Sequence, residues 1–193
     1  AVAYYFGKML HDSLDVPVGL ICNAVGGSTT EAWIDRNSLE TKFPYILRDW
    51  RNNDFIQKWA RDRGSLNIRK SESALQRHPY EPCYLFESGI IPLQQFPIKG
   101  VIWYQGESNA HNVEVHESLF KLLVNSWRNN WGNNSMPFYF VQLSSLNRPS
   151  WPWFRDSQRR LMYDIPFTGM AVSSDYGDSL DVHPRNKKPV GER

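Results

Sequence analysis

Three short stretches carry residues able to move a proton or hold a developing negative charge. The first, Gln105-Gly106-Glu107-Ser108-Asn109, sets two amides, a carboxylate and a hydroxyl close together. The second is Gly26-Gly27 followed by Ser28-Thr29-Thr30-Glu31, a tight turn ahead of an S-x-x-E capping box. Where such a box opens a helix, free backbone N–H groups stand at the turn and suit an anion or an oxyanion. The third is Asp181-Val182-His183-Pro184, a carboxylate two residues before a histidine in a proline-stiffened turn. An acid so placed can hold an imidazole in one tautomer, as a general base requires. Plainer roles compete. Glu107 and Asn109 are equally suited to cap a following helix, and Asp-x-His pairs are common in loops.

These turns need elements to hold them. Residues 98–104, IKGVIWY, form an apolar run with β-branched and aromatic side chains, the pattern of a central parallel strand covered on both faces. In an open α/β sheet, ligands bind beyond the carboxyl ends of strands, where the Gln105 turn would sit. Residues 16–25 read as a buried strand leading into Gly26, with Cys22 a small buried hydrophobe. Residues 136–144 and 168–175 read as further strands. Helical spacing marks residues 1–14, 115–131 and 153–164, the second with Leu119, Leu122, Leu123 and Trp127 on one face. Residues 43–73 are polar, with Trp50, Phe55, Ile56 and Trp59 at helical spacing and the basic residues on a solvated face. They form an excursion over the site. Residues 78–82 are a turn and 83–92 a short helix. Strands alternating with helices predict an α/β fold, a three-layer α/β/α sandwich with a mostly parallel central sheet.

Composition narrows the function classes. At 193 residues, 41% hydrophobic and 22% charged, the chain is one ordinary domain able to bury a sizeable core. Lys+Arg 22 against Asp+Glu 20 leaves a net charge of +2, which draws neither nucleic acid nor an anionic membrane. No apolar run is long enough to span a bilayer. The two cysteines, Cys22 and Cys83, make no disulfide framework. Neither G-x-G-x-x-G nor G-x-x-x-x-G-K-[ST] occurs, which argues against a nucleotide site. His111 and His116 flank Glu114, but on a helix their spacing points them apart, which argues against a metal site.

The strings GLICNAVGGSTTEAW, HPYEPCYLFESGIIPL, IKGVIWYQGESNA, MPFYFVQLS and DVHPRNKKPVGER, in this order, resemble the bacterial sialate O-acetylesterases. These are SGNH hydrolases, with a flavodoxin-like sheet, and acetylxylan esterases are related to them. The resemblance runs the length of the chain. It implies that His183 is the general base, with Asp181 its orienting acid. Glu107 has a competing claim, because related acetylxylan esterases use the glutamate of a QGE string. It further implies that Gly27 or Gly26 lends a backbone N–H to the oxyanion, and Asn109 or Gln105 a side-chain donor.

In that family, a GQSN-type motif after the first strand supplies the serine nucleophile. That block lies ahead of the position of Ala1, and no equivalent occurs here. Ser28 follows two glycines, but it matches the family's second block and its setting is that of a helix cap. Residues 1–193 thus read as a partial SGNH-type esterase domain, cut before the nucleophile strand and before the helix that follows PVGER, and inactive by itself. A sheet without its first strand has unpaired edges, which invites pairing with a second copy. The resemblance also implies an acetylated carbohydrate as substrate, no metal or organic cofactor, and a periplasmic or extracellular location.

Overall fold

The computed structural model describes residues 1–73 and 75–193. They fall into two compact units. One comprises Ala1–Ala24, Gly100–Tyr104 and Pro137–Arg193, the other Val25–Lys99 and Gln105–Met136.

The first unit holds a parallel sheet of three strands in the order β1 (Val101–Trp103), β2 (Phe138–Gln142) and β3 (Thr168–Val172). Val101 stands opposite Phe138, and Phe138 opposite Thr168. Helix α1 (Val2–Leu14) packs against α6 (Lys188–Gly191), which packs in turn against β3. Gly191 is required there, since a Cβ would meet the Val2 carbonyl oxygen at 2.6 Å. Helix α5 (Trp151–Asp164) lies against β2 and β3 and buries Trp151, Phe154 and Leu161. Its Gln158 replaces a strand neighbour at the end of β2: Oε1 accepts from the Leu143 N–H at 2.9 Å, and Nε2 donates to the Val141 carbonyl.

The second unit is helical. It contains α2 (Arg36–Lys42), α3 (Lys58–Arg69) and α4 (Val113–Asn130). Helix α4 buries Leu119, Phe120, Leu123, Val124 and Trp127, a stripe at helical spacing. The Trp127 indole donates to the Trp33 carbonyl at 2.8 Å. Trp50, Ile56, Ala60 and Tyr80 form a separate core, against which Phe55 and Ile68 pack. Residues 86–90 form one π-helical turn, followed by a 3-10 turn at Ile91–Leu93.

Three expectations change. Residues 16–25 form no strand, and Cys22 is exposed. Pro17 lacks an N–H and Gly19 packs no side chain, so this apolar segment is weak ladder material. Strand β1 stands at a sheet edge among the described residues, with Ile102 37% exposed, so it is covered on one face only. Trp50 and Phe55 precede α3 in turns; their burial comes from the Trp50–Tyr80 core and has no helical period behind it.

Candidate active site

The Gly26-Gly27 turn is closed by the Ser28 N–H donating to the Val25 carbonyl at 3.2 Å, with Gly27 at φ 78. A positive φ at the third residue of a four-residue turn is the type II geometry that selects glycine. Space selects it too, since a Cβ on Gly27 would lie 2.5 Å from the Tyr80 hydroxyl oxygen. Both carbonyls of the turn are held. The Tyr80 hydroxyl donates to the Gly26 oxygen at 3.1 Å, and the Ser108 hydroxyl to the Gly27 oxygen at 3.0 Å. In a trans peptide the N–H points opposite the carbonyl, so the tie on Gly26 fixes the direction of the Gly27 N–H. Among the described residues, that N–H donates to no backbone acceptor.

Beyond the turn, the S-x-x-E string does not form a capping box. The short helix is a 3-10 turn at Thr30–Trp33, with Thr29 as its N-cap and no side-chain capping bond. The two residues of the box are committed elsewhere. The Ser28 hydroxyl donates to the Val25 carbonyl at 2.8 Å and accepts from the Trp33 indole at 2.9 Å. Buried and bonded on both sides, it is not placed to act as a nucleophile. Glu31 is fully buried, and its Oε2 accepts from the Asn109 side-chain amide at 2.9 Å. Burial pushes its carboxyl above the usual glutamate range.

The Gln105–Asn109 turn closes on the same group. Asn109 Oδ1 accepts from the Thr30 N–H and from Gln105 Nε2, both at 2.9 Å, and the Thr30 hydroxyl oxygen lies 3.1 Å from it. A backbone N–H can only donate, so the Thr30 contact fixes which end of the Asn109 amide is oxygen. Gln105 Nε2 also donates to the Ser28 carbonyl at 3.1 Å, and the Thr30 hydroxyl reaches Gln105 Oε1 at 2.9 Å. Both N–H groups of Gln105 are thereby used. Asn109 Nδ2 spends one on Glu31. Glu107 is half-buried, and its backbone carbonyl accepts from Gln57 Nε2 at 3.3 Å.

The Asp181–His183 pair belongs to the other unit. It lies on a loop fastened to the chain after β2: the Asn147 N–H donates to the Ser179 carbonyl at 2.9 Å, and the Ser144 hydroxyl to the Val182 carbonyl at 3.4 Å. Gly177 is pressed so close that a Cβ would meet Ser145 Oγ at 2.6 Å. Asp181 Oδ1 accepts from the His183 backbone N–H at 2.9 Å and lies 3.6 Å from His183 Nδ1. The His183 side chain is 81% exposed, beside an open depression lined by Tyr176, Asp178 and Arg185.

His111 bonds the Phe55 carbonyl at 2.8 Å and His116 is buried in α4. Among the described residues, no three His, Cys, Asp or Glu side chains are arranged to hold a metal ion.

Residues 54–188 match the family model described as carbohydrate esterase, sialic acid-specific acetylesterase. The chain belongs to that family. It is 33% identical to the sialate O-acetylesterase of Mus musculus over 220 residues, covering all of this chain and 41% of the mouse protein. The corresponding values for the Homo sapiens sialate O-acetylesterase are 30% over 215 residues and 37% of its length. A crystal structure of a carbohydrate acetylesterase from Xanthomonas citri superposes with a TM-score of 0.76 at 34% identity, over 99% of this chain and 38% of that one. The parallel sheet with flanking helices is thus the α/β fold of an acetylesterase. The chain spans about two fifths of the length of these sialic acid-specific and carbohydrate esterases.

Of the residues singled out in the sequence, the structure brings Gly26, Gly27, Gln105 and Asn109 into one hydrogen-bonded group, and Asp181 and His183 into another. Of the residues that hold the first group together, Thr30 and Glu31 were read only as part of a helix cap and Ser108 only as a member of its turn, and Tyr80 was not considered. Local spacing gives no sign of a bond between residues 78 positions apart. The only available cue was a glutamate inside an apolar GG…EAW stretch.

Proposed function

We propose that this chain carries the base and the oxyanion site of a serine-type esterase that removes O-acetyl groups from sialic acid. The serine comes from the GQSN-type block of the family pattern. Its hydroxyl attacks the acetyl carbonyl while His183 takes the proton. The tetrahedral oxyanion accepts hydrogen bonds from the Gly27 N–H and the Asn109 side chain. His183 returns its proton to the departing sugar oxygen, then deprotonates the water that releases acetate. Asp181 or Glu107 orients the imidazole.

The observation that carries this reading is the fixed amide of Asn109, with its oxygen saturated and one N–H uncommitted among the contacts above. Between the two amides of the turn it favours Asn109, since both Gln105 N–H groups already have acceptors. A preorganised donor of this kind costs no reorganisation when charge develops.

The test is acetate release from 9-O-acetylated sialic acid and from acetylated xylan. It compares these 193 residues alone, the longer protein bearing the serine block, and its His183→Ala variant. We expect turnover by the longer protein only, faster on the sialic acid, and abolished by the substitution. Turnover untouched by His183→Ala would reject the assignment, and faster turnover on xylan would move the substrate to plant-type glycans.

A further inference from the structure

We propose that Glu31 is a positioning residue whose buried side chain sets the Asn109 amide in the orientation that leaves one N–H for the oxyanion. This rests on the oxyanion reading of Asn109 given above.

The geometry makes Glu31 the partner that holds the nitrogen end of that amide. The Thr30 N–H and Gln105 Nε2 hold the oxygen end of the carboxamide, and its nitrogen end is held separately. Glu31 Oε2 takes it at 2.9 Å. Glu31 is itself held: its backbone carbonyl accepts from the Cys83 N–H at 3.0 Å, and its side chain is completely buried. Its carboxyl also interacts with the buried Thr29 hydroxyl, which favours the ionised form. Burial pushes the Glu31 carboxyl above the usual glutamate range, while its contacts with Asn109 and Thr29 act in the opposite direction.

The prediction concerns kcat, because the oxyanion exists only in the transition state. In the longer, serine-bearing protein, Glu31→Ala lowers kcat about 30-fold with KM within about twofold, a loss typical of a weakened oxyanion donor. Glu31→Gln, which can accept from Asn109 and donate toward Thr29, recovers most of that loss. Asn109→Ala combined with Glu31→Ala turns over no more slowly than Asn109→Ala alone, because Glu31 acts through Asn109. Multiplying losses in the double variant, a folded Glu31→Ala enzyme with unchanged kcat, or Glu31→Gln as impaired as Glu31→Ala would each overturn the proposal.

A separate readout needs no turnover. The 1H–15N resonances of the Asn109 side-chain amide should shift in Glu31→Ala and return close to their original positions in Glu31→Gln. If the wild-type protein releases no acetate from any O-acetylated sugar, the esterase reading fails, and these resonances still decide the role of Glu31. Resonances that do not move in Glu31→Ala would reject it.

Discussion

The residues around Asn109 and those around His183 solve opposite problems. Asn109 is 4% exposed, with its side-chain oxygen and one N–H held by Thr30, Gln105 and Glu31, each of which is bonded to something else. His183 is 81% exposed, and its nearest acid makes its shorter contact with the backbone N–H rather than the ring. The difference follows from what each would do. An oxyanion donor is useful only if it already points where charge will appear, and a buried, saturated network supplies that. A general base must exchange its proton with serine, sugar and water in turn, and an exposed ring on a tethered loop leaves it room to do so.

The largest expected effect lies on the open side. His183→Ala in the serine-bearing protein lowers kcat about 1000-fold, within the span usual for general bases, and leaves the thermal midpoint unchanged. A large drop in the midpoint would mean that His183 is structural after all. Next comes Asn109→Ala, which should lower kcat about 100-fold and also destabilise the fold by about 1–3 kcal/mol, because it strands the Thr30 N–H and the Glu31 carboxyl. Urea titration beside the kinetics separates the two losses. Coupling of activity with stability is the mark of the closed region.

Gly27→Ala sharpens the same point through the backbone. The added methyl collides with the Tyr80 hydroxyl and must sit at φ 78, so we expect a loss of about 1–3 kcal/mol and about tenfold in kcat. A structure of the variant with the Gly26–Tyr80 contact intact and full activity would show that the turn tolerates movement.

The smallest effect at neutral pH concerns His116, in the first turns of the helix that starts just after the Asn109 turn. Burial holds its imidazole neutral, pulling its pKa from 6.5 down to about 3. The unfolded chain then binds one proton more than the folded one between those values. Stability is therefore full above pH 6.5 and falls as pH drops toward 3, by about 1.4 kcal/mol per unit from this group. His116→Leu should flatten the denaturation midpoint over that window. An unchanged slope would place the acid sensitivity elsewhere.

What the sequence showed, and what it hid, divides along similar lines. Strands β2 and β3 and helices α4 and α5 are legible because each carries a period that its own neighbours satisfy. Residues 16–25 carry the apolar content of a strand, yet a strand needs a partner edge, and composition cannot say whether one is supplied. The S-x-x-E string failed for a related reason. Its serine is taken by the Trp33 indole and its glutamate by Asn109, and these tertiary bonds outcompete a local cap worth about 1 kcal/mol. The Asp181–His183 pair was visible because its two members are only two residues apart in the chain. Glu31 was hidden because its partner is not.

The most direct test of the account compares Asn109→Ala with Gln105→Ala in the serine-bearing protein, measuring acetate release from 9-O-acetylated sialic acid. If Asn109 is the oxyanion donor and Gln105 only braces it, the Asn109 variant should lose at least about tenfold more kcat than the Gln105 variant. Equal losses, or a greater loss in Gln105→Ala, would contradict it.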